Sequence, residues 1–362
     1  MPSRLTIALL LVLLIPAGPK TALGNEGTST VAVFPVENLS GGSAPVAEIR
    51  QFLEDRLTGA GIGLLGDAAL DDFMTRHRVR YAAGIDAPTA ELLKQETGVG
   101  GVVIASVELV SDAVPPKVAL TARLVSVEGP PVVVWADDVG LSGDDAPGLL
   151  DLGLVEDYEE LLTRALNRIA DSLVNHLGAG PPVAAVKAAP KFRPKIAYRR
   201  MVLEPGRTYT VAVLPFFNRS ERRNAGDVLA LLFARHLSAF GGFRVIDAGE
   251  VRRQLLEARV IMAGGVSIAD ADLVATVLDA DFVLAGRVLY YEDQEGADAN
   301  PKVDFSTVLI ERASGRVVWS SQSDNAGDDG VRFFGRGRSA TAHLMATQMV
   351  RLATEMIAGG AR

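Results

Sequence analysis

The sequence predicts an α/β (α+β) protein of two tandem, duplicated modules, each a mixed β-sheet packed by helices. The first observation is a repeated phrase: Val31-Ala32-Val33-Phe34-Pro35-Val36-Glu37-Asn38-Leu39-Ser40 returns as Val211-Ala212-Val213-Leu214-Pro215-Phe216-Phe217-Asn218-Arg219-Ser220. The second is an ungapped match of residues 61–107 with residues 242–288, with identities at Gly61, Arg78, Val79, Ala82, Gly84, Ala90, Leu92, Val102 and Val107. An ungapped match of this length, over the same element boundaries, is the mark of duplication. The third is size, since 362 residues exceed the usual single domain.

Each copy of the phrase is a short branched apolar run stopped by proline, which cannot donate to a sheet ladder. It reads as a buried strand entering a loop, where the Asn and Ser side chains start a turn or cap a helix. Val46 to Leu57 then carries a helical apolar stripe, with Val228 to Leu237 as its counterpart. Strands are expected at Gly61 to Leu65 and Gly242 to Ile246, short helices at Ala68 to Met74 and Gly249 to Leu256, and glycine-closed loops at Arg78 to Gly84 and Arg259 to Gly265. Helices at Thr89 to Glu96 and Asp270 to Leu278 lead into strands at Val102 to Val107 and Phe282 to Val288. Two more strands follow in each half, Lys117 to Val127 with Val132 to Ala136, and Lys302 to Arg312 with Arg316 to Ser320. Amphipathic helices Tyr158 to Leu177 and Ala340 to Ile357 close the halves. Helix-linked strands followed by a three-strand meander predict a mixed sheet.

The expected domains are a signal peptide at 1–24, a first module at 25–178, a Pro/Ala/Lys-rich basic linker at 179–207 and a second module at 208–362. Arg4, the apolar run Leu5 to Ile15 and the small-residue site Ala22-Leu23-Gly24 have the layout of a cleaved export signal. No later run is long and apolar enough to span a bilayer. The chain has no cysteine, so disulfides, thiolate metal sites and cysteine nucleophiles are excluded, and Pro19 stands where a lipid-bearing cysteine would be needed. The expected location is the periplasm, with any outer-membrane association made through a partner.

Charge is unevenly placed within the net −8. Residues 25–178 hold 10 Lys and Arg against 24 Asp and Glu, residues 179–207 hold 7 against 1, and residues 208–362 hold 17 against 19. The acidic first half disfavours nucleic acid. The basic linker, with Lys187, Lys191, Arg193, Lys195, Arg199 and Arg200, has three readings: a solvated tether, a contact with an anionic surface, or a strap across the acidic first half.

The search for chemistry returns no catalytic, cofactor-binding or metal residues. His77, His176, His236 and His343 show no metal-ligand spacing, and the last three are expected at a helix surface or core edge. Gly98-Val99-Gly100-Gly101 lacks the Lys-Ser/Thr of a phosphate loop and reads as a tight turn. The repeated Gly143-Asp144-Asp145 and Gly327-Asp328-Asp329 lack the further oxygens calcium needs and read as turns or caps. Trp135 and Trp319 fall at equivalent strand positions and read as packing residues. Pro215, Asn218 and Ser220 are expected to shape the loop after the first strand of the second half.

The second half resembles the CsgG and TolB amino-terminal superfamily of bacterial envelope modules, which includes the LpoB type. The likeness rests on Val211 to Ser220, Phe243-Arg244-Val245-Ile246-Asp247, Asp279 to Val288 and Ser314-Gly315-Arg316-Val317-Val318-Trp319. The first half resembles the same module in a more degenerate form. The resemblance implies a non-catalytic assembly or accessory protein acting through protein contacts in the periplasm or at the outer membrane, with no cofactor, envelope proteins as partners and a homo-oligomer as an option. The joints at 108–116 and 289–301 are too short for pore-forming hairpins. The alternative is a periplasmic small-ligand or glycan binder, or an enzyme, using a cleft between the modules.

Overall fold

A computed structural model describes residues 30–145, 154–178, 190–201, 203–260, 268–294, 296, 300–329 and 338–359. The expected signal peptide, residues 179–189 of the linker and most of the second glycine-closed loop lie outside the described residues.

In the first sheet, β1 (Val31–Val33) and the two-residue β2 (Glu37–Asn38) run parallel to β3 (Gly101–Ser111). β3 pairs antiparallel with β4 (Lys117–Ser126), and β4 with β5 (Val132–Ser142). Pro35 separates β1 from β2, as the missing N–H requires. The expected strand at Gly61 to Leu65 reduces to one parallel bridge, Val31 to Leu64. Two glycines in five residues leave few side chains to pack, so that edge does not propagate.

Helices α1 (Val46–Gly59) and α4 (Tyr158–Leu177) cover one face of this sheet, with α2 (Asp67–Arg76) and α3 (Ala87–Thr97) on part of the other. The α4 stripe Leu161, Leu162, Ala165, Leu166, Ile169 and Leu173 is buried, each Leu or Ile contributing about 1.5–3 kcal/mol. Asp157 caps α4 by accepting from the Glu159 and Glu160 N–H groups, and Gly98 ends α3 at φ 71 in the left-handed region.

The second sheet repeats this order. β7 (Tyr209–Val213) and β8 (Phe217–Asn218) run parallel to β10 (Phe282–Glu292), and β9 (Phe243–Val245) parallel to β7. β11 (Lys302–Glu311) and β12 (Arg316–Ala326) complete the antiparallel meander. Bulges fall at matching places, Val107/Leu109 with Val288/Tyr290 and Leu124/Val125 with Leu309/Ile310. Arg78 and Arg259 both hold positive φ, at 54 and 56.

Helices α5 (Ala225–Ser238) and α8 (Ala342–Ala358) pack on one face of the second sheet, around Phe233, Phe305 and Trp319. On its other face lie α6 (Ala248–Glu257) and α7 (Ile268–Val277). α5 and α8 also contact β5 of the first sheet. One helical layer is therefore shared between two sheets, and this fixes where the seam between the halves lies.

The linker reading needs correction over residues 190–199. A 3-10 turn at Pro190–Phe192 buries Phe192, and β6 (Ile196–Arg199) pairs antiparallel with β12 as an edge strand. This stretch is part of the second module rather than a tether or a strap across the first. The alternation Ile196-Ala197-Tyr198-Arg199 is too short for a sequence signal, and its pairing comes from the exposed β12 edge beside it.

Candidate binding site at the seam of the two modules

One face of the first sheet changes character along its length. Its upper part, Val102, Ile104 and Val125, packs under α2 and α3, whereas its lower part carries Ser106, Glu108, Thr121, Arg123 and Asp138. These polar side chains are buried because α5 and α8 cover them. Two ionic clusters result, with a cleft beside them.

In the first cluster, Arg123 Nε donates to Asp247 Oδ1 at 2.9 Å and Arg123 Nη2 donates to the Ala83 carbonyl at 2.5 Å. Both side chains are almost fully buried, at 3% and 0% exposure. Asp247 also accepts from the Ile85 N–H across the seam and from the Gly249 N–H, each at 2.9 Å, the latter capping α6. Glu250 accepts from the Ala87 N–H at 2.9 Å. Gly84 and Gly249 stand so close that a Cβ on either would enter the other segment's backbone. A Val132 to Ile246 bridge and an Asp247 N–H bond to the Pro131 carbonyl at 3.0 Å extend the join.

In the second cluster, His343 sits at the start of α8 between two first-module carboxylates. Its Nδ1 is 2.5 Å from Glu108 Oε2, a close charge contact outside hydrogen-bond alignment, and its Nε2 is 3.3 Å from Asp138 Oδ2. Arg235 bridges Asp137 at 2.7 Å and Asp138 at 2.8 Å, and Thr121 donates to Glu108 at 2.6 Å. Gly140 makes room for the imidazole. Burial alone would lower the His343 pKa, but Glu108 and Asp138 outweigh it and push it up to about 10. Asp138 is held well below the usual carboxylate range, because His343 and Arg235 overcome its burial. His236, buried beside Arg235, is pushed down to about 3.

The surface or core-edge reading of the histidines is therefore wrong for His236 and His343, which are 5% and 0% exposed. Helical periodicity marks the face toward a helix's own sheet, and α5 and α8 are buried on two faces.

The cleft holds about 230 Å³. Val133, Val213, Phe216, Leu231, Ile246 and Val251 give it apolar walls, and Glu37, Tyr81, Asn218, Asn224, Asp227 and Arg252 line it with polar groups. Burial pushes the Glu37 carboxyl up to about 7; Arg123 pulls against the shift while Asp227 and Glu108 add to it. Partial desolvation also raises Asp227 at the exposed rim of the cleft, with Arg252 pulling against it. The Arg252 guanidinium stacks 4.7 Å from the Tyr81 ring centroid.

Of the residues singled out in the sequence, Pro215 and Asn218 reach this cleft and Ser220 does not line it. Asn218 Oδ1 accepts from Ser220 N at 3.0 Å and Ser220 Oγ at 2.7 Å, while its Nδ2 donates to the Arg222 carbonyl at 2.7 Å. Asn38, Ser40 and Gly42 make the same loop in the first half. The side chain thus builds a turn rather than a helix cap, the N-cap position of α5 being held by Asn224. Both Gly-Asp-Asp segments form turns, with Asp145 accepting from Ser142 N and Asp329 from Ala326 N. Trp319 is fully buried, and Trp135 is half-buried beside His176. Among the described residues no group of three or more His, Asp and Glu is placed to hold a metal ion.

The seam residues themselves were missed. A signal was present in Arg123, a charged residue at the centre of a largely apolar strand, since such a residue needs a buried partner; Glu108 was read in the joint after its strand and gave none.

The fold and the seam define a two-module α/β protein whose halves share one helical layer. Comparison with family models places residues 184–324 in a match to the peptidoglycan-synthase activator LpoB, a span running from β6 through most of β12. A comparison with curated proteins finds no match. Among solved structures, the PelC dodecamer from Paraburkholderia phytofirmans is 24% identical, covering 46% of this chain and 96% of that one, with a TM-score of 0.33. Lipoprotein GNA1162 from Neisseria meningitidis is 20% identical over 40% and 99%, with a TM-score of 0.29. The LpoB C-terminal domain from Escherichia coli is 19% identical over 32% and 83%, with a TM-score of 0.27.

Proposed function

We propose that this protein is a non-catalytic accessory of the bacterial cell envelope that acts on a peptidoglycan synthase through protein contacts. The observation that carries this reading is the LpoB model matched across the second sheet. Export by residues 1–24, a periplasmic location, the division into modules at 25–178 and 208–362 and their descent from one duplicated CsgG/TolB-type module belong to the same proposal. The matching bulges and the paired positive-φ arginines support the duplication.

The contact surface we assign is the part of the α6 and α7 face of the second sheet that lies beside the edge strand β6. Tyr198 pairs with Ser320, Tyr290 with Asp304 and Val317 with Ile310, so these side chains share that face with Ile196. Ile196 is 66% exposed and Tyr198 47%, and all four lie within the matched span. Exposed aromatic and branched residues gathered on one face suit a partner. In-cell crosslinking of the mature protein, followed by mass spectrometry, tests the reading. The expected result is capture of a peptidoglycan synthase, lost on Tyr198→Asp; recovery as a free monomer with working controls would contradict it.

A further inference from the structure

The second sheet ends on β6, which has a neighbour, β12, on one side only. The Arg200 N–H donates to the Val318 carbonyl at 2.8 Å, and this sets the phase of the ladder. Ile196 and Tyr198 exchange hydrogen bonds with Gln322 and Ser320, so the N–H and C=O groups of Ala197 and Arg199 point outward. Among the described residues nothing outside that ladder bonds to these outward groups, and Lys195 through Arg200 are all exposed. The other sheet ends are met: β9 leads to β5 through the Val132 to Ile246 bridge, β1 bridges to Leu64, and β5 lies against α5 and α8.

This open edge carries charge of one sign. Residues 191–200 include Lys191, Arg193, Lys195, Arg199 and Arg200 and no Asp or Glu. Lys191 donates to the Asp329 carbonyl, Lys195 pairs with Asp324, and Arg199 lies against Gly359 at the end of α8. Arg193 and Arg200 form no ion pair among the described residues. Basic side chains on an edge repel a second edge like it, which would set Arg199 and Arg200 against the same residues and Lys195 of the other copy. They attract a strand of opposite charge.

We propose that the β6 edge takes an extended acidic segment of the partner as an added strand, an inference that rests on the partner contact assigned above. The backbone of the segment pairs with Ala197 and Arg199, its carboxylates meet Arg193 and Arg200, and its apolar side chains lie beside Ile196 and Tyr198. Backbone hydrogen bonds supply the affinity and the side chains select the sequence.

The test uses the full mature chain and three labelled peptides: valine alternating with glutamate, valine alternating with lysine, and the glutamate peptide N-methylated at every amide, which keeps the charge and removes the donors. Fluorescence anisotropy reads affinity, and hydrogen exchange at the Ala197 and Arg199 amides reads the added ladder. The glutamate peptide should bind roughly tenfold or more tightly than either control and slow exchange at both amides. Ala197→Pro removes an outward donor and leaves the β12 ladder intact, and Arg200→Glu reverses one charge. Each, folded by circular dichroism, should weaken binding by a similar factor, and added salt should weaken it in the parent. Equal binding of the N-methylated peptide, unchanged affinity in both variants, no binding at millimolar peptide, a parent dimer joined at this edge, or binding to phosphatidylglycerol vesicles in place of the peptide would each overturn the proposal. Because no synthase is present, the two readings fail separately. A synthase captured equally by the parent and Ala197→Pro refutes the edge alone, and peptide binding without synthase capture refutes the accessory reading alone.

Discussion

Replacing Asp247 by alanine removes the carboxylate that Arg123, the Ile85 N–H and the Gly249 N–H share. Arg123 would remain buried with only the Ala83 carbonyl, and breaking a buried pair from one side costs about 3–5 kcal/mol. The lost α6 cap adds about 1 kcal/mol and the stranded Ile85 N–H about 1–3 kcal/mol. These terms overlap, so a net loss of about 4–6 kcal/mol is expected, against a typical total stability of about 5–15 kcal/mol. The chain supplies one tryptophan on each side of the seam, Trp135 in β5 and Trp319 in β12. Urea unfolding followed by fluorescence in Trp135→Phe and Trp319→Phe backgrounds therefore reports each half separately. The parent should show one coincident transition, and Asp247→Ala a lower midpoint in both backgrounds. Replacing both partners, Arg123→Met with Asp247→Leu, leaves no stranded charge and should recover part of the loss. A loss below about 1 kcal/mol, or a double variant no better than the single one, would refute the ionic account of the seam.

Glu37 predicts an unusual pH dependence. Its pKa is raised from 4.5 in the unfolded chain to about 7, so the folded state holds the extra proton between these values. Stability from this group is fully present below pH 4.5 and declines as pH rises through 7, by roughly 3 kcal/mol at most. The groups facing it are Arg123 on β4, Asp227 on α5, and Ser106 and Glu108 on β3. Glu37→Gln should therefore raise the melting temperature at pH 8 and change it little at pH 4.5, as thermal unfolding at the two pH values will show. His343 has the opposite chemistry with the same sign: its pKa is raised from 6.5 to about 10, so its contribution is complete below pH 6.5 and is lost through pH 10. His343→Gln should cost about 3 kcal/mol near pH 6.5, with the gap to the parent narrowing toward pH 10 in urea titrations. Tyr198→Asp, on an exposed face, should leave stability within about 0.5 kcal/mol while removing partner capture.

The modules were legible because their signals are local. The Val-Ala-Val runs stopped by Pro35 and Pro215, and the α4 stripe from Leu161 to Leu173, follow from neighbours in the chain. The Asn218 to Ser220 turn was also legible, since a side chain bonding two residues on needs no tertiary partner. The seam was not. His343 meets Glu108 and Asp138 across more than two hundred residues, and Arg123 meets Asp247 across 124. Periodicity shows which face of α5 or α8 meets its own sheet and says nothing of a second sheet on the far side. Sequence counts could show that the first half is acidic, but not that Glu108, Asp137 and Asp138 meet Arg235 of α5 and His343 of α8. Ile196 to Arg199 illustrates the same limit, a four-residue strand whose partner edge lies more than a hundred residues away.

The role we propose is action on a peptidoglycan synthase by contact, without catalysis. The most direct test is the rate of glycan polymerisation and peptide crosslinking by a purified synthase from the same cell, measured with and without the mature protein. A rise that saturates at stoichiometric protein, is absent with Tyr198→Asp and survives Glu37→Gln is the predicted result. An unchanged rate with no complex formed, or turnover of the glycan by this protein alone, would contradict it.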